Sequence, residues 1–112
     1  MSDLASRTCV PCTAETPTLR EEEVSALAAR VPGWEVVEGH HLRRRYSFRN
    51  FRDALRFANR VGGIAEEQGH HPDLSLGWGY AEIRVWTHAI DGLSENDFVL
   101  AAKVDALGAG SA

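Results

Sequence analysis

The stretch "DLSLGWGYAEIRVWTH", residues 73–88, alternates apolar and polar residues on both sides of a glycine turn. Alternation with a period of two fits a half-buried β-strand and is incompatible with an amphipathic helix. Two such runs around a tight turn form an antiparallel hairpin, so the chain must build a sheet with one face in a core and one in water. Placing Gly79-Tyr80 at the turn centre puts glycine first, as a type II′ turn requires. Centring on Trp78-Gly79 would drive bulky Trp78 to positive φ. In the first register Trp78 faces Ala81, Leu76 faces Ile83 and Leu74 faces Val85, all apolar and on one face. Continued to its end, that register sets His71 opposite His88, with β-carbons roughly 4.5–5.5 Å apart.

The other elements follow from periodicity and breakers. Thr18 and Glu21 form a T-x-x-E capping box before a helix whose apolar face is Val24, Leu27, Ala28 and Val31, stopped by Pro32-Gly33. "WEVVE" and "HLRRRYSF" read as a first hairpin turning between Glu38 and His41, with Arg44 interrupting the apolar side of Leu42, Tyr46 and Phe48. A long helix opens at Asn50 and Asp53 and carries Phe51, Ala54, Leu55, Ala58, Val61 and Ala65 on one stripe. Gly62-Gly63 inside it costs about 1 kcal/mol each against alanine, which suggests a close neighbour, another backbone for example. Pro72 disfavours helix at His71, so this helix finishes near Gln68-Gly69. Ser94 with Asp97 three residues on caps a last helix, stapled by Leu93 and Phe98. Helix-strand-strand-helix-strand-strand-helix predicts an α+β domain, an antiparallel four-stranded sheet with helices on one face.

A chain of 112 residues is one domain with a thin core that oligomerisation would help. Residues 18–108 are the expected domain, 1–17 a flexible tail and 109–112 a second short tail. Net charge is −4, which gives no general case for direct nucleic-acid or membrane binding. Residues 43–60 hold seven arginines and one aspartate, a local +6 against −10 elsewhere, and most of it reads as the wet side of strand and helix. No run approaches the ~20 apolar residues of a membrane span, and the N-terminus lacks an apolar signal region, so a cytoplasmic location is the default. Cys9 and Cys12 form a CxxC in the tail, with no second CxxC to complete a zinc site.

Three histidines, His70, His71 and His88, are the candidate catalytic residues. Imidazole gives or takes a proton near neutral pH. Glu66 lies four residues before His70, so on a continuing helix its carboxylate would orient that ring. Zinc is disfavoured: His70 and His71 on an extended segment point to opposite faces, and the H-x₃₋₅-H and HExxH spacings are absent. No nucleophile elbow or glycine-rich phosphate loop is present. His40-His41 sits at a turn and reads as structural or exposed. The competing reading for the other three is that they are ordinary solvent-facing histidines with no chemical task.

Glu66, then His70-His71-Pro72, Trp78, His88 and Asp97 form a spaced pattern that resembles the pterin-4a-carbinolamine dehydratase family. "PGW" at 32–34 and "GLSENDF" at 92–98 fit as well, and the resemblance spans about residues 18–107. It implies the same four-stranded fold, a homodimer or homotetramer, and dehydration of 4a-hydroxytetrahydrobiopterin to quinonoid dihydropterin in tetrahydrobiopterin recycling. It implies no cofactor and no metal. His70 or His71 would handle the hydroxyl proton, while His88 would bind the pterin and assist removal of the N5 proton. The implied substrate-binding residues are Glu66, Pro72, Thr87, Trp34 and Asp97. Trp34 is either an aromatic wall or a packing residue, and Asp97 either a site residue or a helix cap. Gly69 and Asn96 depart from some relatives, the latter standing where they have arginine. Some relatives bind partners instead, as a dimerisation cofactor of a homeodomain transcription factor or as assembly factors for carbon-fixing enzymes.

Overall fold

The computed structural model describes residues 4–10 and 13–107. Three helices, α1 (Glu21–Ala28), α2 (Phe51–Gln68) and α3 (Glu95–Asp105), accompany four strands, β1 (Glu35–Val37), β2 (His41–Ser47), β3 (Asp73–Gly77) and β4 (Tyr80–Val85). The strands form one antiparallel sheet in the order β1-β2-β4-β3, so the two hairpins meet along β2 and β4. This is the expected α+β architecture.

The pleat sorts the side chains. Leu42, Tyr46, Ala81, Ile83 and Val85 point from the central strands into a core completed by Phe57 and Val61 of α2 and by Phe98, Leu100 and Val104 of α3. The opposite face is polar, with Arg43 paired to Glu35 and Arg45 to Glu82. Arg44, the interruption in β2, lies on the inner side. Its guanidinium covers the Tyr46 ring at 4.5 Å and donates to Asp105 Oδ1 at 3.1 Å. The same oxygen accepts Trp34 Nε1–H at 3.0 Å and the Tyr46 hydroxyl at 2.6 Å, so one carboxylate locks the C-terminal turn of α3 to the sheet. Gly33 makes room for this lock, since a β-carbon there would lie 2.1 Å from the Arg44 guanidinium.

Several helix boundaries match the sequence. Asn50 Oδ1 accepts Asp53 N–H at 2.8 Å, and α2 ends at Gln68 with Gly69 left-handed at φ +67°. Ser94 N–H is held by Asp97 Oδ2 at 2.9 Å, half of the expected capping box. The start of α1 differs: Arg20 precedes the helix and its N–H is taken by Glu23, displacing the box two residues from Thr18 and Glu21. Glu23 is held below the usual carboxylate range mainly by that backbone hydrogen bond.

The second hairpin corrects the predicted register. Leu76 pairs with Ala81 and Leu74 with Ile83, so Trp78-Gly79 are the central residues. Only Gly79 takes positive φ, at +85°, as at the second central position of a type II turn. The penalty argued for Trp78 therefore does not arise. The tip is fastened by Phe48 N–H donating to Gly79 O at 2.8 Å. A two-residue slip keeps every side chain on its face, which is why the apolar pairing could not discriminate the two registers.

Two further expectations change, the apolar stripe of α2 and the close neighbour at its glycines. Phe51 and Leu55 are exposed, and Phe57, left out of the stripe, is buried against Tyr46 and Phe48. Among the described residues, and apart from the helix's own backbone and the flanking residues, nothing lies within 4 Å of a β-carbon added at Gly62 or Gly63, so no such neighbour explains them. Part of the segment read as a flexible tail packs on the domain, while residues 13–15 and 17 are exposed. Leu4 is 2% exposed, and Cys9 and Val10 hydrogen-bond to α2 and α3. Cys12 and residues 108–112 lie outside the described residues.

Candidate active site

Helix α2, the loop after β4 and the first turn of α3 meet at the site. Left-handed Gly69 turns the chain out of α2 and drops His70 inward, where it is 7% exposed. Its Nε2 lies 2.6 Å from Asp97 Oδ1. Asp97 is wholly buried, and its other oxygen accepts the Thr87 hydroxyl and Ser94 N–H, each at 2.9 Å. Thr87 Oγ1 also lies 2.7 Å from Ser94 Oγ. A buried carboxylate with this many donors is an acceptor only, so His70 carries its proton on Nε2 and its Nδ1 is the basic atom when the ring is neutral.

His71 follows outside. Its Nε2 is 2.7 Å from Glu66 Oε2, both side chains being largely exposed. Glu66 therefore orients His71, not His70 as expected, because α2 stops at Gln68 and the i,i+4 relation to His70 lapses. His70 takes its carboxylate from Asp97, which serves helix cap and histidine at once. Glu66, His71 and Pro72 line one end of an open groove of about 550 Å³ that runs along Gly62 and Gly63 of α2 and past Leu74 of β3.

His88 does not sit across from His71. Pairing of β3 with β4 stops at Asp73 and Arg84, and the true register would carry His71 toward Trp86. His88 instead begins a short 3-10 turn, His88–Ile90, inside a loop closed by Thr87 N–H to Gly92 O at 2.8 Å. Its exposed ring packs edge-on against Trp86 at 4.5 Å. Among the described residues no hydrogen bond or ring contact joins His70, His71 and His88 directly. The Asp97–Thr87 bond is what ties buried His70 to the peptide preceding His88.

Trp86 also gathers residues set aside in the sequence. The His40 and His41 rings lie 5.2 and 5.7 Å from it, their Nδ1 atoms are 3.1 Å apart, and His40 Nε2 reaches Asp91 Oδ1 at 2.8 Å. Burial, then the neighbouring His40 and Arg84, push the His41 pKa down. Only the sheet pairing of β2 with β4 brings these positions together, so no local pattern could have revealed them. Trp34, by contrast, is 6% exposed and spends its ring on Tyr46 and its N–H on Asp105. That is the packing role, and it leaves no open face for a flat ligand. Among the described residues no three His, Cys, Asp or Glu side chains are grouped to hold a metal ion.

The class that fold and site define is an antiparallel α+β domain with a buried carboxylate–histidine pair and exposed imidazoles near it. The family model for pterin 4 alpha carbinolamine dehydratase matches residues 17–107. A Rubrobacter xylanophilus protein provisionally named pterin-4-alpha-carbinolamine dehydratase is 64% identical over 107 residues, covering 96% of this chain and all of that one. One of the same provisional name from Alkaliphilus metalliredigens is 47% identical, over 94% of this chain and 96% of its own. The crystal structure of a transcriptional coactivator/pterin dehydratase from Brucella melitensis superposes with a TM-score of 0.76 at 27% identity, over 81% of this chain and 98% of that one. A pterin dehydratase-like protein identified as a RuBisCO assembly factor shares the fold at a TM-score of 0.55 and 24% identity, over 70% of this chain and 88% of that one. The chain belongs to the pterin 4 alpha carbinolamine dehydratase family.

Proposed function

We propose that this protein dehydrates 4a-hydroxytetrahydrobiopterin to quinonoid dihydropterin in tetrahydrobiopterin recycling. The observation that carries the reading is the buried Asp97–His70 hydrogen bond next to the solvent-facing His71–Glu66 pair, within a chain of this family. In the reaction the N5 lone pair expels the 4a-hydroxyl, which leaves as water once protonated, and the N5 proton is lost. The C4a–O bond breaks and no oxidation state changes, so one acid and one base suffice.

The residues match those two jobs. His70, with Nε2–H held by Asp97, offers Nδ1 as a base of fixed tautomer. His71, hydrogen-bonded to Glu66 beside the groove, is the reachable proton donor for the hydroxyl. His88, on its short loop, binds the pterin and assists proton removal at N5, with Trp86 setting its ring plane. Thr87 shares the Asp97 oxygen and positions that loop, and Pro72 forms part of the groove wall. The protein works as a cytoplasmic homo-oligomer.

Stopped-flow dehydration by wild type and by His70→Ala, His71→Ala and His88→Ala tests this reading. Wild type is expected above the uncatalysed rate and each variant well below wild type, by roughly 10²–10⁴-fold for a group that moves a proton in the transition state. A wild type at the uncatalysed rate defeats the enzyme reading. A partner-binding role is the second reading, favoured by the apolar surface of Leu55, Leu74 and Trp78, the last 74% exposed. Co-purification of a large partner without carbinolamine turnover would establish it.

A further inference from the structure

The CxxC segment has no part in the dehydration chemistry, yet its first half is fastened beside the site. Cys9 N–H donates to Gln68 Oε1 at 2.9 Å, and Cys9 Sγ lies 3.7 Å from Asn96 O. Val10 N–H donates to Asn96 Oδ1 at 3.1 Å, and Asn96 Nδ2 returns a bond to Val10 O at 2.7 Å. Asn96 thus pairs with the strap through both atoms of its amide, as a strand partner would. It is 5% exposed.

The positions of these anchors matter. Gln68 is the last residue of α2, two before His70, and Asn96 is the residue before Asp97 in the first turn of α3. Residues 4–10 therefore splint on the outside the junction that the His70–Asp97 hydrogen bond spans on the inside. A slide of α3 against the end of α2 would stretch both together. Two other tethers, Arg7 to Glu95 and Lys103 Nζ to Ala5 O at 2.9 Å, each run to α3 and do not cross the junction.

We propose that Asn96 is a positioning residue, clamping the N-terminal strap across the α2–α3 junction so that His70 and Asp97 stay in hydrogen-bond register for proton transfer. The inference rests on the dehydratase reading for its kinetic consequence, but the clamp itself can be read without turnover. Asn96→Leu and Gln68→Leu in the full chain each cut one arm, and Lys103→Met cuts a tether that does not cross the junction. In wild type the His70 Nε2–H proton is followed by nuclear magnetic resonance, alongside the pH profile of kcat.

Both arm variants are expected to shift or broaden the His70 proton resonance and to displace the pH profile. Their kcat falls roughly tenfold with KM little changed, the response to a small misplacement of a reacting group. Lys103→Met lowers Tm only. If one arm variant does not fold, the other decides. Arm variants that lower Tm while the resonance and pH profile stay as in wild type overturn the proposal. So does a Lys103→Met protein that shifts both as strongly, since the effect would then be general loosening. A wild type without dehydratase activity whose His70 proton still responds to the arm variants retains the clamp and defeats the dehydratase reading alone.

Discussion

At the scale of single residues, Asp97 has the largest share of consequences. One carboxylate caps α3, holds Thr87 and fixes the tautomer of His70. Asp97→Asn presents an amide N–H or a weaker acceptor to a ring that needs a carboxylate. Loss of about 1–3 kcal/mol in urea unfolding is expected from donors left unsatisfied in the interior. A fall in kcat of about 10²–10⁴-fold should accompany it if His70 moves a proton. Near-normal turnover in Asp97→Asn would remove His70 from the mechanism. Sequence reasoning had both of Asp97's roles as alternatives, because a capping box is a local pattern whereas a bond to a residue 27 positions away is not.

At the scale of elements, the lock between α3 and the sheet makes a testable pH dependence. Burial, then the hydrogen bond and charge of Asp105, raise the Tyr46 pKa above that of an ordinary phenol. The unfolded chain therefore gives up this proton at lower pH than the native protein does. The stability that follows is complete below pH of about 10 and is lost as pH rises beyond it. Tyr46→Phe should be less stable than wild type at neutral pH and should lose less between pH 9 and pH 11, on the order of the phenol's titration range. Parallel losses in the two proteins would exclude Tyr46 as the source. The hairpin tip gives a second test. Gly79→Ala must hold φ near +85° with its β-carbon 3.3 Å from Phe48 O, and should cost about 1–2 kcal/mol in chemical unfolding. An unchanged midpoint would mean that the turn has another accessible form.

At the scale of the whole molecule, the groove and the bare apolar surface share one side of the protein. Leu55 of α2, Leu74 of edge strand β3 and Trp78 at the hairpin tip are exposed there, and Gly62-Gly63 presents backbone without side chains. An edge strand with unpaired backbone groups beside an apolar helix face is where a small domain gains most by association. If the proposed homo-oligomer uses this face, Leu74→Arg is expected to reduce the sedimentation coefficient from that of the assembly to that of the monomer. An unchanged sedimentation profile would place the interface elsewhere.

What the sequence determined by itself is whatever depends on neighbours along the chain. Pro72 and Gly69 end α2, Asn50 and Ser94 start helices, and alternation around Gly79 makes a one-sided sheet, each through local sterics or a short-range hydrogen bond. The spaced Glu-His-His-Pro pattern also carried the family. The tertiary structure decided which carboxylate serves which histidine, where His88 stands, and that His40 and His41 join Trp86. It also decided that residues 4–10 splint α2 to α3. These arrangements depend on register, and on where a helix end meets a neighbouring segment. A two-residue slip or one left-handed glycine changes them without altering which residues are apolar, so the pattern along the chain holds no record of them.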